Sequence, residues 1–242
     1  MTRWVPQKKD VLASLAEEYL HNYSRGRTIL AVDGADPVAT AGFADDLATA
    51  MRATGTTVFR ASLADFQRPR SERALIRDSL GADTGVRDPA ELAYRAAYDY
   101  PAFRRVLVDP FRMGGSTGFV PAFFDARSDA AVEPTWLTGP ADAVLLVDGE
   151  FANRPELRGL WNYSVYLDDP NIDVRGAQAL YRAESAPRTA AVAIIDNTFP
   201  ETPRRRFADS VSAEVASRTS AARSKPLAVA TGRPRAPECP RR

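Results

Sequence analysis

Residues 28–43 read Thr28-Ile29-Leu30-Ala31-Val32-Asp33-Gly34-Ala35-Asp36-Pro37-Val38-Ala39-Thr40-Ala41-Gly42-Phe43. The run from Thr28 to Asp33 is short and almost continuously apolar, the pattern of a strand buried on both faces of a parallel sheet. Gly34 to Pro37 are turn residues. A helix is expected after them, over roughly 41–53, ending at Gly55. Thr56-Thr57-Val58-Phe59-Arg60-Ala61 then reads as a second strand. Strand, turn, helix and strand make a βαβ unit, whose connection suits parallel pairing.

Upstream, Val11, Leu12, Leu15, Tyr19 and Leu20 recur at helical spacing along 7–24 and predict an amphipathic helix. Ser24-Arg25-Gly26-Arg27 breaks it. Downstream, 66–118 is polar, with helices expected at 71–80 and 99–109 and a turn at Gly114-Gly115. Residues 119–125 and 131–136 predict a pair of strands. Ala143–Asp148, Tyr163–Asp168 and Ala191–Asp196 predict three more. Strands alternating with helices argue for an α/β doubly wound, mainly parallel sheet. After Pro200 the pattern dissolves into Ser, Arg, Ala and Pro. The expected division is a leading helix (1–24), a domain (25–200) and a basic, disordered tail (201–242).

Hydrophobic content of 45% and charged content of 26% are ordinary for a globular protein. The net charge of +1 hides an asymmetry. Residues 201–242 hold ten basic and four acidic side chains, so the tail is +6 and the rest −5. An acidic body argues against a nucleic-acid-binding core, and the tail reads as solvated although it offers a basic surface to RNA or lipid. The lone cysteine, Cys239, allows no disulfide within the chain. No apolar run approaches a membrane span, and Glu17 and Glu18 interrupt any signal peptide, so a cytoplasmic protein is expected. His21, the only histidine, sits near the end of the first helix and reads as structural. Zinc and histidine-based chemistry therefore find little support, and no metal site is expected.

Several strands end in aspartate: Asp33, Asp148, Asp168 and Asp196. In open parallel sheets, ligands lie outside the carboxyl ends of the strands. The turn after the first strand resembles the phosphate loop G-x-D-G-x-G-K-T-T-F-A-D of uridine kinase-like P-loop nucleoside kinases, in their actinobacterial branch. Gly34, Asp36, Phe43, Ala44 and Asp45 stand in register with it. Arg60-Ala61-Ser62, Asp65-Phe66, Arg68-Pro69-Arg70, Glu72-Arg73, Phe103 to Leu107, Asp109-Pro110, Ala141 to Leu160, Gln178 to Tyr181 and Asp196-Asn197-Thr198 extend the resemblance over residues 25–200. It implies a P-loop NTPase-type fold and an ATP- and magnesium-dependent nucleoside kinase that often self-associates. It places nucleotide binding at Gly34, Asp36, Thr40 and Ala41, and a metal-side acid at Asp148. Arg68, Arg70 and Arg73 would face a nucleotide phosphate, and Tyr98, with Tyr94 and Tyr100, would stack on a base. A solvated arginine face and aromatic packing are the plainer readings of those two groups.

The departures fall on the chemistry. Pro37 replaces a loop glycine and has no N–H to offer a phosphate. Ala39 replaces another, Thr40 stands at the lysine and Ala41 at the magnesium-binding hydroxyl. No lysine occurs from residue 10 to 224. Losing two or three charge-assisted hydrogen bonds, at ~1.5–3 kcal/mol each, weakens ATP binding by several kcal/mol. Ala64 stands where S-x-D-x-F has its base; Asp65, one residue along, is expected to point elsewhere. The arginine-bearing lid is reduced to Pro170–Arg175. The reading is a catalytically degenerate kinase homologue that binds a nucleoside, a nucleotide or a protein partner, itself included. The alternative is an active or repurposed kinase working through Asp65, Asp148 and the arginines, the one case that needs ATP and Mg.

Overall fold

The computed structural model describes residues 6–83 and 88–207; the tail from 208 onward and Cys239 lie outside them. Helix α1 (Lys8–Asn22) starts at a reciprocal cap between Gln7 and Asp10. Strand β1 (Thr28–Gly34) is buried along its whole length. Helix α2 (Pro37–Arg52) begins at Pro37 rather than near 41. Proline suits the first helical position, and Asp36 before it supplies a capping carboxylate. Strand β2 (Val58–Ser62) runs into a 3₁₀ turn, Leu63–Phe66. Helices α3 (Arg70–Asp83) and α4 (Pro89–Ala96) follow, the second unexpected.

The helix expected over 99–109 divides into α5 (Tyr100–Phe103), a π-helical turn (Arg104–Val108) and α6 (Asp109–Met113). Pro110 explains the irregularity. It has no N–H for the carbonyl of Val106, which accepts instead from the Val120 amide at 2.8 Å. The strand pair expected at 119–136 shrinks to β3 (Phe124–Asp125) and β4 (Ala130–Ala131), with one further bridge between Phe119 and Leu137. Pro121 and Pro134, one on each arm, cannot donate to a ladder.

β5 (Val144–Gly149), β6 (Tyr163–Asp168), α7 (Gly176–Ser185), α8 (Pro187–Ala190), β7 (Ala193–Asp196) and β8 (Arg204–Arg206) complete the chain. The main sheet has six strands in the order β2-β5-β1-β6-β7-β8, parallel except for β8. β8 lies in the stretch expected to be tail, where an Arg206–Asp196 pair at 2.6 Å ties it to β7.

Successive residues of β1 face opposite sides. Leu30 and Val32 join α1, α2 and one face of β5 and β6 in one apolar core. Ile29 and Ala31 join Phe66, Phe103, Phe111 and Phe119 in a second core on the other face. The sheet is therefore covered on both sides, as its continuous apolar strands require. Arg27, just before β1, donates to the carbonyls of Phe111 and Pro140 at 3.0 Å, of Gly115 at 3.3 Å, and of Gly139. Among the described residues no helix is long and apolar enough to cross a membrane.

Candidate functional site

β1 and β5 are neighbours, yet the chain leaves them in opposite directions, toward β2 and toward β6. A crevice forms between their carboxyl ends, where register pairs Val32 with Asp148 and Asp33 with Gly149. The turn from β1 into α2 forms one wall. There Asp36 Oδ1 accepts the amides of Val38 at 2.9 Å and Ala39 at 3.1 Å. The Thr40 amide bonds the Asp36 carbonyl at 2.9 Å, and Thr40 Oγ1 donates to the same oxygen at 2.6 Å. Pro37 has no amide. The opening turn of α2, which elsewhere offers N–H groups to a phosphate, is thus satisfied from within. Gly34 is required by close approach, since a Cβ there would lie 2.4 Å from Thr40 Oγ1. Ala41 is half-buried and brings no polar side chain.

The other wall is acidic. Asp148 is buried; it accepts from Arg60 Nη2 at 2.8 Å and from Ser62 Oγ at 3.1 Å. Arg60 also holds Asp45 at 2.9 Å and the Leu146 carbonyl at 2.9 Å. Asp33 is fully buried and receives Asn153 Nδ2 at 2.6 Å, the Tyr181 hydroxyl and the Ala152 amide at 3.4 Å. Burial pushes its carboxyl up to about 6, against the pull of these donors. Burial also raises Glu150, with a smaller push from Asp36; a bond from Gln178 at 2.7 Å opposes it.

Asp65 does not behave as strand alternation predicts. Residues 63–66 form a 3₁₀ turn, which keeps its half-buried side chain within the field of Asp148. Burial first, then the charges of Asp148 and Asp125, push its carboxyl up to about 6. The arginines lie at the start of α3. Arg68 pairs with Glu72 at 2.8 Å and with Asp99 at 3.7 Å. Arg70 is exposed, its amide bound to Asp129, and Arg73 lies one turn further along. Tyr98 and Tyr94 are core residues: Tyr98 stacks on Tyr100 at 5.9 Å, and Arg154 covers the ring of Tyr94 at 4.1 Å. No open ring face is left on Tyr98 for a base. Arg175, in the connection between β6 and α7, pairs with Asp173 at 2.6 Å on the surface.

These residues do not fit magnesium–ATP. The helix amides are taken, position 41 has no hydroxyl, and both oxygens of Asp148 are already engaged. Asp65 lies in the field of Asp148 and Glu150 in that of Asp36, and carboxylates gathered at this end of the sheet repel a triphosphate. Arg60, Glu150, Asn153 and Tyr181 enter the sequence reading only inside blocks of the resemblance, with no role of their own. Asp33, an aspartate closing an apolar strand, carried a signal that pointed to the crevice.

No family model and no curated protein matches the chain. Solved structures do. A protein described as a possible uridine kinase from Bacillus stearothermophilus aligns at TM-score 0.63 and 22% identity, over 78% of this chain and 98% of that one. One described as a fructose transport system kinase from Silicibacter aligns at 0.51 and 18%, over 74% and 91%. D-glycerate 3-kinase from Cryptococcus neoformans aligns at 0.50 and 13%, over 68% and 74%. The chain shares its fold with these solved kinases.

Proposed function

We propose that the chain is a kinase-fold protein that performs no phosphoryl transfer and whose crevice takes an uncharged nucleoside-class ligand. The observation that carries this is the turn from β1 into α2, where Pro37 has no amide, Thr40 turns its hydroxyl back onto the Asp36 carbonyl, Ala41 has no hydroxyl, and the amides of Val38 and Ala39 are capped by Asp36. The lack of lysine from residue 10 to 224 supports it. Phosphoryl transfer depends on positioning and charge stabilisation, and neither a cation nor free amides line this turn. Among ligands suggested by the fold, a nucleoside suits an acidic crevice: it carries no charge, and its ribose hydroxyls can donate to carboxylates such as Asp65. A cytosolic setting belongs to this proposal.

Calorimetric titration tests it. Uridine or cytidine is expected to bind, and ATP with magnesium is not. Magnesium-dependent phosphorylation of either nucleoside by pure protein overturns the proposal.

One observation favours a second reading, a repurposed enzyme: Asp65 lies beside Asp148 with its carboxyl raised to about 6, near the pH a general base works at. If any turnover is found, Asp65→Ala and Asp148→Ala should abolish it. Unchanged rates reject those roles.

A further inference from the structure

A cavity of about 390 Å³ opens at the amino end of β6, away from the crevice at the carboxyl ends. The segment 152–162, the start of β6 and the turn after α8 enclose it. Its volume falls in the ~300–1,000 Å³ range of small-molecule sites. No aspartate or glutamate lines it, in contrast to the crevice, and two arginines do.

The lining groups differ in what they have left to offer. Arg154 is engaged with Glu156 at 2.5 Å and with the Tyr94 carbonyl. Arg158 is exposed and makes no ion pair among the described residues. Trp161 is held in orientation by its Nε1–H on the Ala152 carbonyl at 2.7 Å, so its ring is a fixed flat surface. Asn162 Oδ1 accepts the Ile29 amide at 2.8 Å, which leaves its NH₂ donors for a ligand. The hydroxyl of the buried Ser164 adds a further polar group.

An oriented indole, an unpaired guanidinium and an amide donor suit a flat apolar body with a carboxylate at one end. We propose that this cavity binds a small aromatic carboxylate, its ring against Trp161 and its carboxylate at Arg158 and Asn162. The same segment reaches the crevice, because Ala152 and Asn153 line the cavity and also hold Asp33. A bound ligand therefore rests on residues that fix a crevice carboxylate.

Calorimetry on the full chain with benzoate, benzamide and inorganic phosphate tests this, independently of the crevice. Benzoate is expected to bind at one per chain and to shift the Trp161 indole N–H resonance. Benzamide, without the charge, should bind about tenfold more weakly or worse, and Arg158→Gln should weaken benzoate by a similar factor. Val192→Trp, on the rim, should block binding while leaving the fold intact by circular dichroism. Phosphate should not displace benzoate. The proposal is overturned if millimolar benzoate gives no heat, if benzamide or the Arg158 variant binds benzoate-like, or if phosphate competes.

Discussion

Replacing Asp36 with alanine removes the acceptor of two amides, those of Val38 and Ala39, at the start of a 16-residue helix. Loss of a capping aspartate costs ~0.5–2 kcal/mol. For a domain of this size that is about 2–4 °C of melting temperature per kcal/mol. The freed amides also lie at the positive end of the helix dipole, so the variant should acquire weak affinity for phosphate or sulfate. Asp36→Asn is the control. Asparagine caps as well as aspartate, so stability should stay near that of the parent while the charge beside Glu150 is gone. Thermal melts with and without phosphate decide the matter. The parent should show no phosphate effect, and Asp36→Ala should melt lower and recover part of the loss in phosphate. Equal stability of parent and alanine variant, or equal phosphate stabilisation of both, refutes the reasoning.

Arg60→Met strands Asp148, whose side chain is 5% exposed, and should cost about 3–5 kcal/mol in urea unfolding; a loss under about 1 kcal/mol would equate the pair with a surface one. Asp65 has a folded-state pKa of about 6, above an unfolded value of ~3.9. Its contribution to stability is present in full below the unfolded value and is lost as pH rises through the folded one. Asp65→Asn should therefore flatten the pH dependence across that window and be the more stable form at neutral pH; identical pH profiles count against it. Tyr181→Phe removes a hydroxyl donor from the buried Asp33, with an expected loss of about 1–3 kcal/mol and a carboxyl titration displaced upward, read by carbon NMR. An unmoved titration rejects the hydrogen bond.

The strands β1, β5, β6 and β7 were legible because each is a continuous apolar run flanked by turn residues, a signal contained in the segment itself. The sequence puts the start of α2 late, because Asp36 and Pro37 read as remnants of a phosphate loop and not as cap and first residue of a helix. Proline effects were legible only in part. Pro110 acts on the distant carbonyl choice of Val106, and Pro121 and Pro134 matter only once the two arms are known to face each other. The candidate site was half visible. Asp148 and Asp65 were named from sequence, but their neighbour Arg60 was named only as part of the resemblance. Its partner lies 88 residues away and meets it through strand register alone. Tyr98 was named for base stacking and is core, because it packs on Phe151, from a distant segment whose approach no local pattern announces, as well as on the nearby Tyr100.

Arg27 has a consequence for how the chain tolerates change. Its guanidinium holds carbonyls at both ends of the excursion from Phe111 to Pro140, so one side chain works as a buckle across a long loop. The entropy of closing a loop grows only slowly with length, about 0.6 kcal/mol per doubling. Phe119, Val120 and Phe124 anchor the excursion in the core, but with its ends clasped at the start of β1 the exposed run 130–136 can be lengthened, shortened or exchanged without disturbing the sheet. That stretch is where new surface can be grafted onto this fold at least cost.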